Sequence, residues 1–255
     1  SDKMEKVLNC PQFNKVSKFR KNGKLPPLKD DEYLSLLLLN LIENKNIDKN
    51  LANSLKAVGS QPAKLYGLPK VHKDGIPLRP VLSLLNTSQY EVAKYLDGKL
   101  KPLLKKGFNC LDSFEFADFI SNYKISNKNE IMVSFDVVFT MFFTNVPLKE
   151  TIDLCCNLWK DNVGEHHLID EVAFRELLCF ATSNIHFLFN NEWYKQVDGV
   201  AMGSPLAPTL ASIFLSSIED KIDLFPGQRP LAYKRYVDDI FLIFDNQSDI
   251  RSILG

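Results

Sequence analysis

The stretch Leu231-Ala232-Tyr233-Lys234-Arg235-Tyr236-Val237-Asp238-Asp239-Ile240-Phe241-Leu242-Ile243-Phe244 decides how this chain is read. Two apolar, strand-like arms flank adjacent carboxylates, so Asp238 and Asp239 are expected at the tip of a β-hairpin. Like charges placed side by side resist joint ionisation unless cations neutralise them. Divalent metal ions do this, and a paired-metal site is what in-line phosphoryl or nucleotidyl transfer requires. As a bare dipeptide, Asp-Asp reads more readily as a solvated turn. The rest of the chain has to discriminate.

A third carboxylate occurs in a similar setting. Ile131-Met132-Val133-Ser134-Phe135 is a short apolar run ending at Asp136, and it reads as a buried central strand covered on both faces. An unpaired buried carboxylate is costly, so Asp136 is expected beside the hairpin, giving three acids on adjoining strands around two Mg2+ ions. The alternative is that Asp136 caps the following turn.

Between these acids lies Gly199-Val200-Ala201-Met202-Gly203-Ser204-Pro205-Leu206-Ala207-Pro208. Ser204 suits an N-cap and Pro205 the first helical turn. Leu206, Leu210, Ile213, Phe214 and Ile218 then recur at helical spacing. Gly199 and Gly203 would let backbone approach a flat ligand such as a nucleobase. An ordinary loop-to-helix junction has the same composition.

The order of these motifs resembles the palm of a reverse transcriptase. The Ala201-Met202-Gly203-Ser204-Pro205 variant, with Thr144-Asn145-Val146-Pro147 after the first Asp, resembles the Penelope-like element class, a relative of telomerase reverse transcriptases. Upstream, Lys64-Leu65-Tyr66-Gly67-Leu68-Pro69-Lys70-Val71-His72-Lys73 and Pro77-Leu78-Arg79-Pro80-Val81 are similar to that class's fingers motifs, and the hairpin-like Phe187–Tyr194 fits as well. The resemblance runs from about Gln61 to Phe244. It implies an α+β right-hand polymerase, with fingers and an antiparallel palm sheet packed on helices, acting as an RNA-directed DNA polymerase. Its partners would be an RNA template, a DNA primer and dNTPs. By position, Asp136, Asp238 and Asp239 would be catalytic and bind two Mg2+ ions, or Mn2+, with the Val137 carbonyl as an added ligand. Lys73 and Arg79 would hold the triphosphate, Met202 and Gly203 would line the templating pair, and Tyr236 and Val237 would lie near the primer end.

The chain departs from that pattern in two places. The aromatic that blocks the ribose 2′-OH usually stands five positions after the first Asp. Here Met141 stands there, and the run to Thr144 is two residues longer, which gives the gate slot to Phe143. Phe139 and Phe142 read equally well as core residues. Only Asp245–Gly255 follow the hairpin, so neither a thumb nor the class's GIY-YIG endonuclease is expected within this chain. The expected division is an N-terminal arm with helices over 1–58, a fingers-like part over 59–130 and a palm-like part over 131–255. A remnant that binds nucleic acid without chemistry is the competing reading. An RNA-directed RNA polymerase is a third, which the aromatic at Phe143 disfavours.

Bulk properties agree with this division. Net charge is zero, yet residues 1–135 carry 22 Lys and Arg against 14 Asp and Glu, and residues 136–255 carry 9 against 17. Basic fingers beside an acidic, metal-binding palm would have this polarity, as would chance scatter of surface charge. Five cysteines show no zinc spacing, and an odd count argues against a complete disulfide framework. The apolar run Leu34–Leu41 falls far short of the ~20 residues a membrane span needs. No membrane association and an intracellular location are therefore expected, nuclear for a mobile-element relative. Residues 1–30, Lys-rich and broken by prolines, suggest an extended arm. Helices are expected over Glu32–Glu43, Asp48–Lys56, Ser88–Lys106, Ser113–Tyr123, Leu148–Trp159 and Ile169–Thr182, and strands over Ile185–Leu188 and Trp193–Val197.

Overall fold

The computed structural model describes residues 2–16, 26–71, 74–104, 108–110, 112–126, 129–136, 143–162, 169–222 and 230–245. In chain order its elements are α1 (Asp2–Leu8), β1 (Phe13–Lys15), α2 (Pro26–Glu43), α3 (Lys49–Leu55), β2 (Ala63–Pro69), β3 (Leu78–Ser83), α4 (Ser88–Leu100) and α5 (Ser113–Asn122). There follow β4 (Ile131–Asp136), α6 (Leu148–Asn162), α7 (Glu171–Thr182), β5 (Ile185–Phe189), β6 (Glu192–Gln196), α8 (Ala207–Ile222), β7 (Ala232–Tyr236) and β8 (Asp239–Phe244). The fold is mixed α+β, with sheets packed on helices. The chain forms two compact units that interleave along the sequence, Ser1–Leu103 with Phe143–Ala211, and Leu104–Phe142 with Ser212–Gly255.

The first unit holds a five-stranded sheet of order β1-β6-β5-β2-β3, antiparallel except where β2 runs parallel to β5. Leu8, Phe13, Ala63, Leu82, Leu84, Ile185, Phe187 and Ala201 form one buried cluster on it. Beside the sheet, α6 and α7 pack through Trp159 and Phe174, whose rings stack at 4.5 Å. Their apolar faces alternate with charged positions at helical spacing, so packing rather than propensity fixes them. Asp48 and Asp170 cap α3 and α7 by accepting bonds from Leu51 N and Ala173 N.

The second unit holds a three-stranded antiparallel sheet of order β4-β8-β7. One face carries Ile240, Leu242 and Phe244 with Val133, Phe135 and Tyr233. On the other, Phe116 of α5 meets Phe241 edge-on at 5.2 Å, and the Lys234 ammonium lies 5.2 Å from the Phe119 ring.

Several expectations need correction. Residues 1–30 do not form an extended arm: α1 and β1 lie within them, and α2 starts at Pro26, where two prolines cost no helical hydrogen bond. Asp31 is consequently inside α2 and accepts bonds from Ser60 N and Oγ. The run Ile131–Phe135 is not a central strand. Among the described residues β4 pairs only with β8, and Ile131 and Met132 are 37% and 49% exposed. The β5–β6 hairpin joins the sheet of β2 and β3, not that of β4, β7 and β8. Helix α8 begins at Ala207; Ser204 stands before it, its Oγ accepting from Leu206 N. Within the stripe, Leu206, Leu210 and Ile213 are buried while Ile218 is exposed. The five cysteines are free thiols, and burial pushes the Cys155 thiol strongly upward. Among the described residues, no helix is long and apolar enough to cross a membrane.

Candidate active site

The acidic hairpin is built by register. Asp136 pairs with Asp239 across β4 and β8, and Asp239 pairs with Tyr236 across β8 and β7. Positions 136, 239 and 236 therefore form one transverse row at the end of the sheet, sharing a face because directly opposed residues do. Asp238 is half-buried in the two-residue turn Val237-Asp238, and among the described residues it makes no hydrogen bond or ion pair. The Asp136 side chain lies outside the described residues, as do Val137 and Lys73.

Val237 is the outlier of this turn. Its φ is 56°, in the left-handed region that a β-branched side chain disfavours. Asp238 has no positive φ, so the sign pattern is that of a type II′ hairpin, whose first central position normally takes Gly. A strain of ~1–3 kcal/mol persists only where surrounding structure enforces it.

Behind the sheet lies a buried polar network. Arg235 and Glu219 of α8 are buried, at 1% and 5% side-chain exposure, with Arg235 Nε donating to Glu219 Oε1 at 2.5 Å and Nη2 to Oε2 at 3.1 Å. Arg235 Nη1 donates to the Val237 carbonyl at 3.2 Å, and Nη2 lies 3.5 Å from Ser216 Oγ. Tyr233 donates its hydroxyl to Glu219 Oε1 at 3.0 Å; burial, then the Glu219 charge, hold the phenol well above its usual range. The backbone of Arg235 is tied on both sides, accepting from Cys110 N at 2.7 Å and donating to Phe108 O at 2.9 Å. Sequence reading missed this network. Glu219 sits 16 residues from Arg235, and only the strand parity of Arg235, a charge at an inward position of β7, hinted at it.

In the first unit the glycine-framed loop is clamped between two backbones. Gly199 has φ 73°, and a Cβ there would fall 2.0 Å from the Thr144 carbonyl oxygen. Val200 N donates to Phe143 O at 2.8 Å. At the other end Gly203 bridges Ser83, and a Cβ on Gly203 would lie 2.5 Å from Leu82 O and 2.6 Å from Ser83 Cα. Both glycines thus serve close approach of protein main chain. Asp198 locks the junction: its Oδ1 accepts from Gly199 N at 2.8 Å and from Leu148 N at 3.2 Å. It too was missed, although an Asp before Gly is a familiar turn signal. Phe143, half-buried in a 3₁₀ turn, is thereby held against Val200, while Gly203 lies against Leu82 and Ser83, and Arg79 lies exposed on β3, four residues before Ser83.

Two groups of candidate residues result. Asp136, Tyr236, Val237, Asp238 and Asp239 converge in the second unit; Phe143, Met202, Gly203 and Arg79 belong to the first. Among the described residues no cluster of three His, Cys, Asp or Glu side chains forms a metal site. The donor chemistry at these positions nevertheless fits a hard cation, since 136, 238 and 239 are all Asp, with 136 and 239 opposed in register.

A three-stranded sheet with acids at the end of a strand and in the adjacent hairpin defines a polymerase-type palm. The fold is similar to that of Candida tropicalis telomerase in complex with a TWJ fragment of telomeric RNA, with TM-score 0.58 and 15% identity over 88% of this chain and 41% of that one. It is also similar to apo telomerase from Candida tropicalis truncated from its C-terminal domain, with TM-score 0.55 and 15% identity over 95% and 54%. The telomerase from Candida albicans gives 0.55 and 14% over 95% and 46%. The chain thus spans about half the length of these telomerases. No curated protein matches it in sequence. Residues 71–255 match the model of the reverse transcriptase (RNA-dependent DNA polymerase) family. The chain belongs to that family.

Proposed function

We propose that this chain is the polymerase part of a retroelement enzyme that extends a DNA primer 3′-OH with dNTPs on an RNA template. The observation that carries this reading is the row Asp136, Asp239, Tyr236 at one end of the sheet, with Asp238 next to it in a strained turn. Residues 59–130 act as a fingers-like part and 131–255 as a palm-like part, with the β5–β6 hairpin joined to the fingers-like sheet. The motif order supports a Penelope-like element as the source, which in turn points to work in the nucleus.

In this reading Asp136, Asp238 and Asp239 hold two Mg2+ ions, with Mn2+ as the substitute metal and the Val137 carbonyl as a further ligand. When bound, the ions supply Lewis-acid activation of the primer hydroxyl and neutralise charge on the departing pyrophosphate. The chain's own residues bind and orient. Lys73 and Arg79 grip the triphosphate, Arg in bidentate fashion. Met202 and Gly203 bound the templating base pair, and Phe143, whose carbonyl accepts from Val200 N, excludes a ribose 2′-OH. Tyr236 and Val237 face the primer end.

Primer extension by the full chain on an RNA template tests the proposal. Template-dependent dNTP incorporation that disappears in Asp238→Asn is the expected result. Template binding without incorporation would favour the non-catalytic remnant, and preference for rNTPs an RNA-directed RNA polymerase. Phe143→Val should admit rNTPs; unchanged discrimination would remove Phe143 from the gate.

A further inference from the structure

Arg235 heads the fully buried side chains by size, yet none of the roles above uses it. Replacing a buried ion pair with apolar residues of similar volume is often neutral or stabilising, so stability alone does not account for an arginine here. What the guanidinium reaches does account for it. One edge grips both Glu219 oxygens, and Nη1 holds the Val237 carbonyl, the peptide group that links the left-handed residue to Asp238. By the alternation of β7, Arg235 faces α8 while Tyr236 and Asp239 occupy the opposite face. It therefore acts through the main chain of the turn.

We propose that Arg235, anchored by Glu219, is a positioning residue that locks Val237 in its left-handed conformation and so sets Asp238 and Asp239 for divalent-cation binding. This rests on the metal-site reading of those acids. Lysine cannot substitute: an ammonium lacks the planar fork that engages a carboxylate and a carbonyl in fixed directions at once.

The experiment measures Mn2+ binding to the full chain by electron paramagnetic resonance, with a circular-dichroism melt as the control for folding. Arg235→Lys should weaken Mn2+ binding roughly tenfold, the range seen when groups that orient metal ligands are altered. The double variant Arg235→Lys/Val237→Gly should recover most of that loss, because Gly adopts a positive φ without a Cβ penalty. Wild-type Mn2+ binding in Arg235→Lys overturns the proposal, and so does a loss that Gly does not rescue, since Arg235 would then not act through the turn. If Arg235→Lys does not melt cooperatively, Tyr233→Phe takes its place, removing one donor to Glu219. A few-fold loss of Mn2+ affinity is then expected, and unchanged affinity overturns the proposal. Asp238→Asn separates the two levels. Wild-type binding there sinks the metal site itself, whereas weak binding there with wild-type binding in Arg235→Lys removes only the role of Arg235.

Discussion

Among the described residues two hairpins have two-residue turns, and they are built on opposite terms. In the β5–β6 hairpin the turn is Asn190-Asn191, both at positive φ (48° and 60°), the pattern of a type I′ turn made from residues that tolerate it. In the β7–β8 hairpin the turn is Val237-Asp238, with a β-branched residue at φ 56°. The first turn is relaxed and held by its own chemistry. The second is held from outside, by a buried arginine on its carbonyl. A strained turn beside two carboxylates, with a buried network on its carbonyl, is what the proposed metal site asks of the β7–β8 hairpin.

The largest expected effect tests function directly. Asp239→Asn should abolish primer extension while the chain still folds, whereas Asn190→Ala should leave extension intact. Equal loss in both would end the distinction between the hairpins. Next in size, Gly203→Ala should destabilise the chain by about 2 kcal/mol in denaturant titration, because its Cβ would press on the Leu82 and Ser83 main chain. It should do so without changing Mn2+ affinity, which belongs to the β7–β8 hairpin. Asn191→Val, which forces the unfavourable residue into the relaxed turn, should cost about 1–2 kcal/mol with extension unaffected. The smallest and most pointed change is Val237→Gly. Relief of strain should outweigh the entropy glycine adds to the unfolded chain, raising stability by about 1 kcal/mol or less. A destabilised Val237→Gly would show that the turn is not strained.

Much of this was legible in the sequence, for identifiable reasons. The tip acids of β7–β8 followed from apolar arms around a polar pair, and the opposed Asp136 from a strand that ends on a charge. The helices over 48–56 and 113–123 were legible because caps and apolar spacing agree there, and the helix over 148–159 because of its apolar spacing. The position of β4 was misread because a continuous apolar run does not say which neighbours cover it; Met132 is half exposed at a sheet edge. The start of α2 was missed because its first residues are prolines after a Lys-rich stretch, and charge composition hid a legitimate first turn. The partners of Arg235 and Asp198 were harder to read: strand parity hints that Arg235 is inward and Asp-Gly hints at a turn, but neither local sign names Glu219 or Leu148 as the partner.

The central claim, that Asp136 and the Asp238-Asp239 turn share one cation site across β4 and β8, is tested most directly by metal-mapped cleavage. Fe2+ bound in place of Mg2+ is treated with ascorbate and peroxide, and the backbone cuts are mapped. The account predicts paired cuts near residues 136 and 238–239, both suppressed by excess Mg2+. Cuts at one segment without the other, or at neither, would contradict it.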